Sequence, residues 1–75
     1  MTMSDWGVVL FHGTSSALQA EKAAKMAGFD VKLIPTPREL SSDCGLALRF
    51  NWSQAAELQG VLKERHVEYV VAWPL

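Results

Sequence analysis

The strongest constraint on this chain is the order in which its hydrophobic periodicities change within 75 residues. Residues 6–11 (WGVVLF) form a β-branched and aromatic run short enough to be a strand buried on both faces. A polar break, residues 12–16 (HGTSS), offers several hydroxyls as helix N-caps. From Ala17 the composition is that of a helix, up to a C-terminal stop at Gly28. Ala17, Ala20, Ala24 and Ala27 fall on one face at 3.6-residue spacing, so this helix can lie close to a sheet. Residues 29–34 (FDVKLI) read as a second strand, and residues 46–50 as a third, with Leu46, Leu48 and Phe50 alternating against Ala47 and Arg49. Asn51 and Gln54 resemble a capping box for a second helix reaching about Arg65 and burying Ala55, Leu58, Val61 and Leu62. Residues 67–73 (VEYVVAW) supply the last strand, stopped by Pro74.

The order βαββαβ folds most simply as a two-layer α+β sandwich of the ferredoxin-like type, an antiparallel sheet with two helices on one face. Residues 1–75 then form one domain. In that layout the spatial strand order is 4-1-3-2, and the end of the first strand lies beside the start of the third. The first and last strands carry apolar residues on both faces, such as Val8 against Val9 and Ala72 against Trp73. A sheet face left bare by the helices is expected to meet a partner, by self-association or docking.

Composition narrows the function classes. Hydrophobic residues are 49% and charged residues 20%, which supports a packed core. The net charge is −1 and the basic residues are scattered, so the stripe expected of a nucleic-acid binder is missing. No apolar run approaches the ~20 residues that span a bilayer. The first residues lack the basic and apolar regions of a secretory leader. A cytoplasmic setting is expected.

The one cysteine, Cys44, cannot form an internal disulfide or complete a multi-cysteine metal site. It is either a small buried hydrophobe or a reactive thiol. Its setting favours an exposed loop: residues 35–45 (PTPRELSSDCG) form a long connection with turn formers at both ends. The 4-1-3-2 order would place that connection's end near the start of the first helix, close to His12 and Thr14. Free amides and the helix dipole there favour an anion and lower a thiol pKa. Arg38 and Arg49 would add positive charge and His12 could shuttle a proton, whereas Asp43 opposes the thiolate. Gly45 would leave the sulfur open, and Ser41 and Ser42 could donate hydrogen bonds to a bound anion. Each has a plainer role as well: His12 as a strand end, Arg38 as a loop tie, Arg49 as a solvated residue. His66 reads as a favourable charge at a helix end. No Ser-His-Asp order, phosphate-cradling loop or metal-ligand spacing is present, and no cofactor is implied.

The segments ALQAEKAAKMAGFDVKLIPTPREL and SSDCGLALRF resemble a family of short prokaryotic proteins described as selenium/sulfur carrier-like. The resemblance runs from about Val8 to Trp73, and its most specific parts are residues 33–38 and 42–49. It implies that Cys44 matches the family's cysteine and Arg38 its arginine. It also implies a role akin to TusA-type sulfur relays, in which a cysteine carries a persulfide from a desulfurase-like donor to an acceptor protein. The first loop, residues 12–16, departs from the more histidine-rich form of that family.

Two other readings compete with the carrier. A non-catalytic ligand- or protein-binding regulatory module would use the Pro-Thr-Pro-Arg loop and Arg49 to hold an anion, with Cys44 incidental. A redox sensor would use Cys44 in an intermolecular disulfide.

Overall fold

The computed structural model describes residues 6–37, Leu40 and residues 45–75. Strands β1 (Trp6–Leu10), β2 (Lys32–Pro35), β3 (Leu46–Asn51) and β4 (Val71–Pro74) form one antiparallel sheet in the order β2-β3-β1-β4. This is the expected 4-1-3-2 arrangement read from the other edge. Helix α1 (Thr14–Met26) follows β1, and α2 (Ala55–Glu64) follows β3 through a 3-10 turn at Trp52–Gln54. The α+β, ferredoxin-like layout is therefore the one the order of periodicities implies.

One layer of core lies between sheet and helices. Val9, Phe11, Leu48 and Phe50 from the sheet meet Ala17, Ala20 and Ala24 of α1 and Leu58 and Leu62 of α2, all fully buried. The small side chains on α1 let its backbone approach the sheet, and the large ones on β1, β3 and α2 fill the space between. Ala23 is buried and Ala27 exposed, so the stripe on α1 sits one residue away from its expected end.

The opposite sheet face is less bare than expected. Val8, Leu10 and Ala47 are buried there, with Ile34 and Leu40 packed against them. Leu40 comes from the β2–β3 connection, where its N–H bonds to the Pro37 carbonyl at 2.9 Å. Folding this residue over the sheet removes the middle of the face from solvent. Apolar exposure survives along β4, where Trp73 is 51% exposed and Val71 36%.

Both helices end in the same way. After α1, the Phe29 N–H reaches the Ala24 carbonyl (2.9 Å) and the Gly28 N–H the Lys25 carbonyl (3.0 Å). After α2, Val67 bonds to Leu62 (2.8 Å) and His66 to Lys63 (3.1 Å). Each is a Schellman motif, which needs a left-handed residue just past the helix. Gly28 takes that position with φ 91°, and His66 takes it with φ 58°. The motifs also explain why β2 and β4 begin later than expected. Phe29 and Val67 close helix ends instead of opening strands. At the other end of α1 the expected hydroxyl cap is absent: Gly13 is the N-cap, and Thr14, Ser15 and Ser16 form the first turn. Asn51 caps the 3-10 turn instead of completing a box with Gln54, its side chain accepting from the Ser53 N–H at 3.2 Å.

The sheet edges share a chemical feature. Thr36 N–H bonds to the Gly45 carbonyl and Leu75 N–H to the Trp6 carbonyl, so alternation turns the backbones of Pro35 and Pro74 outward. Each edge thus shows a residue without an N–H.

Gly7 lies under the aromatic pair Phe50 and Trp52, whose ring centroids are 5.7 Å apart. A β-carbon at Gly7 would run into the Trp52 ring and stand 3.1 Å from Phe50. Gly7→Ala is expected to lower stability by about 1–3 kcal/mol through overpacking, read as a fall in urea midpoint. The two helix ends predict opposite effects. Gly28→Ala should cost about 1 kcal/mol, while His66→Gly should raise stability by up to ~1 kcal/mol, both measured by thermal unfolding.

Candidate functional site

The register Leu10↔Ala47 between β1 and β3 fixes which loops share an end of the sheet. Continued by two residues, it sets His12 opposite Gly45. His12 is exposed between β1 and the Gly13 N-cap, and Thr14 is the exposed first residue of α1. Gly45 is exposed immediately before β3, its carbonyl accepting from Thr36 N–H at 3.0 Å. His12, Thr14 and Gly45 therefore gather at one end of the sheet, as the topology implies. Cys44, Arg38, Ser41 and Ser42 lie outside the described residues.

The start of α1 at this end favours an anion. Its N-cap, Gly13, has no side chain to offer, and its first turn contains no acidic residue. A β-carbon placed on Gly45 would meet no heavy atom within 4 Å among the described residues beyond its chain neighbours, and Gly28 alone among the described glycines has positive φ. Gly45 is thus not required there by a sharp turn.

Arg49 does not join this group. It sits four residues further along β3, about 13 Å from Gly45 at strand spacing. Its guanidinium carbon lies 4.3 Å from the centroid of the Trp6 ring, a cation–π contact. Its Nε is buried with no hydrogen-bond partner among the described residues. The register sets Arg49 opposite Val8 on one side and Lys32 on the other. Two like charges directly across a strand pair repel, and the Trp6 face offsets part of that cost. The sequence shows Arg49 on a polar stripe, yet nothing local to it points to Trp6, which is 43 positions away and reaches it only through the β1–β3 register.

No group of three His, Cys, Asp or Glu side chains among the described residues could hold a metal ion. No helix among them is long and apolar enough to cross a membrane.

Changing Lys32 to a carboxylate should relieve the repulsion and create an ion pair with Arg49. Lys32→Glu is expected to stabilise the protein by about 0.2–1 kcal/mol in chemical denaturation at low salt, with the gain shrinking at 1 M salt.

Comparison with known proteins adds two findings. The sequence model of a family described as "Putative Se/S carrier protein-like" matches residues 6–73. The chain is also 34% identical over 53 residues to the protein named "Uncharacterized protein YtiA" of Escherichia coli (strain K12), a match covering 71% of this chain and 62% of that protein. No solved structure shows a significant match.

Proposed function

The chain belongs to that Se/S carrier protein-like family, and from this premise we propose that Cys44 carries a sulfur or selenium atom between two partner proteins. The observation that carries the reading is the place of Gly45, the residue after Cys44. It is exposed, and it stands at the sheet end where α1 begins. The reading needs a thiolate, and the acid-free first turn of α1 behind its Gly13 N-cap favours an anion at that end of the sheet. Cys44 is also the chain's only thiol, so no internal resolving cysteine competes for the cargo.

The step is thiol exchange. The Cys44 thiolate attacks the outer sulfur of a persulfide on a cysteine desulfurase-like donor. A bond forms between the two sulfurs, the donor's own sulfur–sulfur bond breaks, and the donor leaves as a thiolate. The Cys44 persulfide then yields its outer atom to an acceptor nucleophile and returns to the thiolate. A selenium atom follows the same route. The cargo passes on with no net oxidation of the carrier, which suits a reducing cytoplasmic setting.

Arg38, Ser41 and Ser42 belong to this proposal as the groups that hold the loaded anion, with His12 and Thr14 at the same end of the sheet. Arg49 contributes to the fold of the outer face instead, given its distance from Gly45.

Intact-mass measurement tests the reading directly. After incubation with a cysteine desulfurase and cysteine, without reductant, the protein should gain one sulfur atom at Cys44 and lose it on adding thiol. With selenocysteine as donor, the gain should be one selenium atom. Cys44→Ser should abolish the gain and keep the wild-type unfolding midpoint. A wild-type protein that gains nothing from an active desulfurase overturns the proposal.

A further inference from the structure

We propose that the groove between α1 and the turn after α2 binds a small organic phosphate, a phosphomonoester-class dianion with an apolar body. None of its lining residues belongs to the β1–α1 or β2–β3 connections, and it does not depend on the carrier reading. The groove has a volume of about 390 Å³, within the range of small-molecule sites. Its polar wall consists of Gln19 and Lys22 from α1 and Arg65 and His66 from the turn, and no carboxylate among the described residues lines it. Its apolar lining is the buried Ala23 and Val67 and the exposed Met26.

Three features show that these cations are not committed elsewhere. Lys25, one turn along α1, pairs with Glu21 at 3.3 Å, whereas the helical neighbours of Lys22 are Leu18, Gln19, Lys25 and Met26. Lys22 forms no ion pair among the described residues. The last carbonyls of α2 do not call on Arg65 or His66 side chains either. Val61, Leu62 and Lys63 already accept from the backbone N–H groups of Arg65, Val67 and His66. Lastly, His66 holds the left-handed position that Gly28 fills in the equivalent motif, at a conformational cost glycine would avoid. Its imidazole lines the groove, where it can donate an N–H to an oxyanion. Two cations and these donors suit a dianion. The groove is open and larger than a bare phosphate, and Ala23, Met26 and Val67 offer apolar contact to an organic body on it.

His66→Gly separates this role from a structural one, because it should strengthen the free fold while weakening the site. The probes are phenyl phosphate and inorganic phosphate, compared at constant ionic strength by thermal shift and by amide chemical-shift mapping. Phenyl phosphate should raise the midpoint of the wild-type protein, shift the amides of residues 19–26 and 65–67, and bind more tightly than inorganic phosphate. His66→Gly and Lys22→Gln should each weaken it by about fivefold, the scale of one exposed charged contact. Shifts located elsewhere, equal binding of the two probes, or unchanged affinity in His66→Gly would overturn the proposal.

Discussion

Everything in this small domain hangs on the two-sided burial of β1. Val8, Val9, Leu10 and Phe11 are at most 4% exposed, and the strand is paired on both sides, to β3 and β4. A chain of 75 residues has little interior, so a strand buried on both faces forces both faces to be covered. Two helices cover one. On the other, the β2–β3 connection brings Leu40 over Val8, Leu10 and Ala47. The connection that holds Cys44 is thereby tied to the core on the way to the residue of interest. Thr36 and Gly45 pin its two ends with a hydrogen bond. The long loop is thus anchored at both ends and once in between.

The order of elements was legible because each strand and helix has a clear periodicity. The sheet order followed from connection rules alone, and with it the gathering of His12, Thr14 and Gly45. Boundaries were less legible, for a specific reason. Phe29 and Val67 look like the first residues of strands, being apolar and followed by β-type sequence. Their N–H groups nonetheless bond back to Ala24 and Leu62, because a helix that ends in a Schellman motif draws an apolar residue after it. A glycine marks the first of these ends. The second has histidine in the same position, so no local signal distinguishes its backbone from an ordinary helix end.

Of the candidate site, the sheet end shared by His12, Thr14 and Gly45 was legible through the topology, while Cys44, Arg38, Ser41 and Ser42 lie outside the described residues. A lone cysteine before a glycine on a turn-rich connection draws notice without any structure. Arg49 shows the limit of such reading. Its charge is visible, but its neighbour across the sheet is set by register, and register places it with Trp6 and Lys32 instead of the Gly45 end. The groove bounded by Lys22 and His66 was hidden for a similar reason, since its two walls come from elements 44 positions apart.

The outward-facing prolines at the two sheet edges have a consequence for how such a protein meets others. A strand from another chain cannot zip onto Pro35 or Pro74 without leaving its own carbonyl unanswered. Pairing at these positions is therefore disfavoured relative to contacts through side chains and loops, which form and break quickly. Sheet-to-sheet fusion between copies, which is slow to reverse, is discouraged at both ends of the strand order. The carrier proposed above, which would visit one partner and then another, would benefit from surfaces that let go.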